Sequence, residues 1–393
     1  MKHSAQLALM FLSLFTITSC SDSDEPSYIP MSSRQTVFMY FPWSGSTIYT
    51  SFLQNIEGFE SAIKSNHGLG NNSLIVFIAE NENTSHLIKI CYENGECMRD
   101  TLREYDFSSC DYTTQSGITS IINEVVAACP NEKYAMTIGC HGMGWIPVGK
   151  SISLAARSSA KSSHKSYLTR YFGHSSNSRY QTDITTLAAA IDAAGIKMQY
   201  ILFDDCYMSN IETAYELRNV TDYLIASTCE VMMAGMPYDK IGVDLLNNDY
   251  KGIVDGFYDF YSTYSMPCGT IAVTDCSEIE VMADIMRQIN AAYPDGVNNL
   301  NNIQDLDGYS PTIFFDFGDY VAELCTDQSL LTLFNGQLER LVPYKANTPT
   351  FYSTITNRQT AIQTFSGLTV SAPTLNRTIS ALIPETGWYQ ATH

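Results

Sequence analysis

Two strand ends in this 393-residue chain carry side chains that could act on a carbonyl group. The apolar run YAMTIG (134–139) leads into Cys140-His141-Gly142, and the run QYILFD (199–204) leads into Asp205-Cys206. A thiol nucleophile needs a partner that takes its proton and later protonates the leaving amine, and imidazole titrates in the right range. Of the seven histidines, His3 lies in an apolar leader and His393 is the last residue. His67 and His86 read as polar turns, and His164 and His174 fall in a Ser-rich stretch. That leaves His141, at the end of an apolar strand. Gly142 permits close backbone approach, and its N–H with that of Cys206 could receive a developing oxyanion. Cys206 precedes a helix expected from about Asn210, and a helix N-terminus favours the thiolate. Cys140 neighbours His141, but successive strand residues point to opposite faces, which puts it in the core. Position alone also fits an ordinary buried cysteine and a satisfied histidine. A zinc site at Cys140-His141 finds no second ligand pair at suitable spacing.

Both strand ends sit in an alternation of strands and helices. Strands are expected at Thr36–Phe41, Leu74–Ala79, Tyr134–Gly139, Gln199–Asp204, Asp222–Ser227 and Gly269–Thr274, with a hairpin at Leu87–Leu102. Helical spacing marks Thr47–Lys64, Ser116–Ala128, Asp183–Ala194 and Asn210–Leu217. Apolar strands without polar alternation are buried on both faces, so helices must cover a mostly parallel sheet. The chain after Gly242 adds helices and a β-rich tail near Phe365–Ser371. In such sheets working residues lie beyond the carboxyl ends of the strands, so His141 and Cys206 share a crevice if their strands are neighbours.

Residues 146–182 break the pattern. These 37 residues contain no Asp or Glu but six of the chain's 22 Lys and Arg: Lys150, Arg157, Lys161, Lys165, Arg170 and Arg179. A long Ser-rich basic loop inside a domain is either a solvated surface segment or a functional one, and is exposed to nicking.

The segments TIGCHGMGW and YILFDDCYMSNIETAYEL, followed by DYLIASTCE and GMPYD, resemble the clostripain family of cysteine peptidases. The resemblance extends from the first strand to GLTVSAP (367–373). It implies the caspase-like fold shared with legumains and gingipains: an α/β three-layer α/β/α sandwich with a mostly parallel sheet and a C-terminal elaboration, spanning 35–393. It further implies a dyad of His141 as general base and Cys206 as nucleophile, acting through a thioester acyl-enzyme. Asp204 matches the acid of the specificity pocket, where it would grip a substrate Arg or Lys; capping of the next helix is its alternative reading. Glu230 is expected to add negative charge to that pocket. Family members are often zymogens that cut themselves between the His and the Cys, which makes the six basic residues of 146–182 processing candidates. Some relatives need calcium; no EF-hand loop is present here, so calcium stays open, and no other cofactor is required. Two features depart from the family. Asp205 replaces a common Ala and would raise the thiol pKa if it points inward, and TCEVMMAGM replaces a block usually rich in Glu and Pro. Alternatives to an Arg/Lys endopeptidase are a catalytically silent lipoprotein binding peptides in the same cleft, and a peptide ligase.

Lys2, the apolar run Leu7–Ile17 and Thr18-Ser19-Cys20 read as a lipoprotein signal (1–19), with Cys20 as the lipidated residue. Residues 20–34 form an acidic tether. The cell envelope is therefore the expected location, as an outer-membrane lipoprotein, periplasmic or surface-exposed, held by its lipid alone. The net charge of −19 argues against nucleic acid. Protein or peptide substrates and a monomeric state are expected. Of eleven cysteines, Cys91 and Cys97 flank an Asn94-Gly95 turn signal and either face each other across a hairpin or stay free; the other pairings are not deducible.

Overall fold

The strands that read as continuous apolar runs are enclosed on both faces. A computed structural model describes residues 35–42, 48–81, 83–148, 172–173, 178–297 and 299–393. It contains a nine-stranded sheet. Its strands are β1 (Gln35–Phe41), β2 (Ser73–Ala79), β3 (Thr84–Glu93), β4 (Glu96–Asp106), β5 (Lys133–Gly139), β6 (Met198–Asp204), β7 (Thr221–Ala226), β8 (Thr270–Asp275) and β9 (Tyr344–Asn347). Their spatial order is β9-β8-β7-β6-β5-β1-β2-β3-β4. The five central strands β7, β6, β5, β1 and β2 run parallel, and antiparallel pairs extend both edges.

Helix α1 (Ile48–Ser65) connects β1 to β2 in one direction along the sheet, while α3 (Ile184–Ala193) and α4 (Ile211–Leu217) connect β5, β6 and β7 in the other. Right-handed crossovers then place them on opposite faces. Accordingly α1 packs with α5 (Tyr238–Asn247) and α5 with α6 (Tyr250–Ser262), whereas α2 (Gln115–Ala128) packs with α3 and α3 with α4. Three layers result, as expected from the alternation. The reversal of direction falls between β1 and β5, beside the strand ends that carry His141 and Cys206.

Several expectations are corrected. The β3–β4 turn has Asn94 and Gly95 both at positive φ (53° and 88°), a two-residue hairpin. It pairs Glu93 with Glu96, hence Tyr92 with Cys97 and Cys91 with Met98. The one-residue offset puts Cys91 and Cys97 on opposite faces, and both are free. All ten cysteines among the described residues are free thiols. His86 lies on β3 rather than in a turn, its Nε2 2.9 Å from Glu80. In the expected β-rich tail only Thr369–Val370 is strand, paired with Phe315–Asp316. A hairpin at Thr350–Ser353 and Arg358–Ala361 and the edge strand β9 precede it. No helix among the described residues is long and apolar enough to cross a membrane.

Candidate active site

β5 and β6 are hydrogen-bonded neighbours, with Gly139 opposite Asp204. The ladder ends there, and the segments leading to His141 and Cys206 leave the sheet side by side. The two chains touch there: a Cβ at position 142 would lie 2.4 Å from the Cys206 carbonyl oxygen and 3.0 Å from its amide nitrogen. Glycine is therefore required, and it brings the Gly142 and Cys206 backbones to one spot. His141 and Cys206 are both half-buried at this seam.

The Cys206 thiol is held by the loop after β7. Its Sγ donates to the Val231 carbonyl at 3.8 Å and accepts from the Val231 N–H at 3.3 Å. Burial pushes the thiol pKa well above its ordinary value; the Glu230, Asp205 and Asp204 charges add to this and the Val231 N–H opposes it. The expected thiolate-favouring effect of the following helix is thus outweighed. α4 starts only at Ile211, Asn210 Oδ1 already accepts from the Thr213 N–H, and Tyr207 turns the chain at φ 61° in between.

Asp204 is 6 % exposed at the end of β6. Its Oδ1 accepts from the Met236 N–H at 2.8 Å, while Oδ2 has no hydrogen-bond partner. Burial raises its pKa to about 7; the Met236 N–H and, outside hydrogen-bond geometry, the Tyr238 hydroxyl oppose the shift. It caps no part of α4. Gly235, at φ 67°, closes over it, since a Cβ there would lie 2.7 Å from Oδ2. Asn55 of α1 and Tyr261 of α6 fix the loop from outside, donating to the carbonyls of Ala234 and Gly235 at 3.1 and 2.7 Å. The result is a buried acid with one enclosed, unpartnered oxygen, two residues from the thiol.

Asp205 turns away from Cys206 and accepts from the N–H and thiol of Cys140, which is 5 % exposed in the main core. Glu230, expected to add negative charge near Asp204, is a carboxylate held by four donor groups. It accepts from Tyr207 Oη (2.8 Å), Ser353 Oγ (3.0 Å), Thr354 N–H (3.0 Å) and Thr354 Oγ1 (2.6 Å). Sequence reasoning also missed how the C-terminal elaboration grips the catalytic loops. Met143, Trp145 and Tyr207 form a second small core with Tyr309, Ile313 and Phe314, and Trp145 Nε1 donates to Ser371 Oγ at 3.0 Å. The one signal available was that 141–145 and 206–208 are apolar or aromatic although they follow strand ends.

Cys20, Lys150, Arg157, Lys161, Lys165 and Arg170 lie outside the described residues. Arg179 is described: its guanidinium lies 4.8 Å from the Phe107 ring centroid, and its carbonyl accepts from Thr113 Oγ1 at 3.3 Å. The roots of the basic loop meet where the Val148 N–H donates to Asp183 Oδ1 at 2.6 Å. No cluster of three or more His, Cys, Asp or Glu among the described residues is placed to hold a metal.

The sequence model of the clostripain family matches residues 51–335. A secreted C11 cysteine protease from Bacteroides thetaiotaomicron is 50 % identical, over 93 % of this chain and 100 % of that one, with a TM-score of 0.83. A clostripain from Bacteroides thetaiotaomicron ATCC 29148, in complex with the peptide inhibitor BTN-VLTK-AOMK, is 57 % identical over 57 % of this chain and 99 % of that one, with a TM-score of 0.55. An inactive zymogen C11 protease from Parabacteroides distasonis, at 24 % identity over 93 % of this chain and 99 % of that one, shares the fold with a TM-score of 0.76. No curated protein matches. The chain belongs to the clostripain family and is a C11-type cysteine protease.

Proposed function

We propose that the protein is an endopeptidase cleaving after Arg or Lys, with Cys206 and His141 as its dyad. The observation that carries this reading is the close approach of Gly142 to the Cys206 backbone, which brings the chain next to His141 against the chain at the thiol. His141 takes the Cys206 proton as the sulfur attacks the scissile carbonyl carbon. The N–H groups of Gly142 and Cys206 receive the oxyanion. The C–N bond breaks, His141 protonates the leaving amine, and a thioester remains. Water, deprotonated by His141, releases the acid and restores the thiol.

Asp204 is the acid assigned to the pocket; its Oδ2, enclosed and without a hydrogen-bond partner, supports it as the group that would pair with a guanidinium or ammonium. The similar clostripain binds an inhibitor whose peptide ends in Lys, which supports the same preference here. Glu230 adds negative charge near the same site, its carboxylate fixed by Tyr207, Ser353 and Thr354. Activation proceeds by self-cleavage within 146–182, where basic residues are concentrated. The signal-like 1–19 segment and Cys20 support export and lipid anchoring at the cell envelope, and the protein is taken as a monomer. No cofactor enters the proposed steps, and calcium dependence is a matter for direct titration.

The test compares residues 35–393 with Cys206→Ala and His141→Ala on fluorogenic peptides ending in Arg, Lys, Asp or Leu. Cleavage after Arg or Lys, lost in both variants, is expected. Activity retained by Cys206→Ala would overturn the mechanism, and cleavage after Asp or Leu would overturn the pocket.

A further inference from the structure

The Glu230 carboxylate joins three segments that are far apart in sequence. Tyr207 directly follows the nucleophile. Val231, next to Glu230, makes both hydrogen bonds to Cys206 Sγ. Ser353 and Thr354 belong to the C-terminal hairpin, more than 120 residues on, and supply three of the four donor groups. Thr354 binds both oxygens through its N–H, each at 3.0 Å, and adds its hydroxyl. The Ser353 hydroxyl in turn accepts from the Ile355 N–H at 3.2 Å. The other end of the bracket is equally fixed, because Tyr207 stacks on Phe314 with ring centroids 5.3 Å apart and its N–H donates to the Cys229 carbonyl at 3.0 Å.

We infer that Glu230 is a positioning residue that fastens the C-terminal hairpin to the loop holding the nucleophile, so that the hairpin sets where the Cys206 sulfur sits. This rests on the reading of Cys206 as the nucleophile. Charge-assisted bonds to a carboxylate are strong and directional. Val231 cannot shift without Glu230, and Glu230 cannot shift without breaking bonds to residues 353 and 354. The Val231 N–H aims at the sulfur and strengthens as the thiolate forms. A displaced Val231 therefore costs reactivity in the thiol itself, with the substrate pocket at Asp204 and Met236 left in place. The C-terminal elaboration thereby becomes part of the reaction apparatus.

The decisive variants lie in the hairpin, outside the dyad and the pocket. Ser353→Ala with Thr354→Val removes both hydroxyl donors but leaves the Glu230 charge, and with it the charged surroundings of the thiol (His141, Asp204, Asp205, Glu230), unchanged. In the double variant kcat is expected to fall about tenfold with KM within about twofold of wild type. Alkylation of Cys206 by iodoacetamide, followed by mass spectrometry of its peptide because the chain has nine other described thiols, should slow by a similar factor. Thr354→Ser keeps the hydroxyl and should stay within about twofold of wild type in both readings. If the double variant does not fold, Thr354→Val against Thr354→Ser gives the same comparison. Unchanged kcat and alkylation would overturn the inference, as would a rise in KM alone, which would make the hairpin a wall of the substrate site. Loss of the nucleophile reading is seen separately, as activity surviving in Cys206→Ala.

Discussion

The Asp205 carboxylate faces Cys140 and not Cys206: its two oxygens accept from the Cys140 N–H at 2.5 Å and from the Cys140 thiol at 3.2 Å. The unusual acid before the nucleophile thus ties the ends of β5 and β6 together from within the core. Asp205→Ala, which restores the residue common in the family, should leave kcat/KM within about threefold. It should lower stability by about 1–3 kcal/mol, because a buried N–H loses its acceptor. Urea unfolding and steady-state kinetics of the variant check both halves. A large gain in activity would show that the acid acts on the nucleophile directly.

Asp204 is expected to dominate selectivity. Asp204→Asn should reduce kcat/KM for Arg and Lys peptides by about 100-fold, on the order of 3 kcal/mol of transition-state binding. Burial holds the free carboxyl at a pKa of about 7, and only its ionised form attracts a cation. The affinity of a small guanidinium inhibitor should therefore rise as pH increases through about 7 and be flat in Asp204→Asn. Inhibition constants at pH 5.5–8.5 decide, and a flat wild-type profile would remove Asp204 from the pocket.

Glu212 and Asp307 share the raised range. Burial lifts each to about 7, partly offset by the Ser371 N–H for Glu212 and by the N–H groups of Phe314, Ile313 and Tyr309 for Asp307. Their folded pKa lies above the unfolded value of about 4. The unfolded chain therefore releases these protons first, and the stability they contribute is full below about pH 4 and lost as pH rises to about 7. Glu212→Gln should narrow the drop in urea midpoint between pH 5 and pH 8. An unchanged drop would contradict it.

Processing should occur among Lys150, Arg157, Lys161, Lys165 and Arg170 and spare Arg179, whose guanidinium is stacked on Phe107 and whose carbonyl is bonded to Thr113. Purified wild-type protein should yield two fragments, with N-terminal sequencing placing the second one before Tyr171. Cys206→Ala should remain a single chain. Cleavage after Arg179, or an intact chain with full activity, would refute this assignment.

The candidate seam was legible because YAMTIG and QYILFD are apolar without alternation and end in reactive groups. Fully buried strands of this kind belong in the middle of a parallel sheet, where β5 and β6 lie side by side although 140–197 separate them in the chain. Other features depended on facts a local pattern does not carry. Whether Cys91 meets Cys97 turned on one residue of register. How Glu230 is held turned on Ser353 and Thr354, more than 120 residues along the chain. The direction of the Cys206 pKa turned on burial and on the Glu230, Asp205 and Asp204 charges around the thiol, which the local sequence does not display. Strand periodicity predicts which elements adjoin, but long-range polar contacts in loops leave no periodic trace.

The strand order has a consequence for the cleaved protein. Everything from β5 across to β4 comes from the chain before the basic loop, and everything from β6 across to β9 comes from after it. A cut between Val148 and Arg179 therefore yields two partners, each with its own unbroken half-sheet, docked along β5 and β6. His141 belongs to one and Cys206 to the other. An enzyme cleaved there as proposed would be held together by the β5–β6 pairing, with the two halves of the proposed dyad on separate pieces. Its persistence on dilution would be set by the burial along that seam and no longer by a covalent chain.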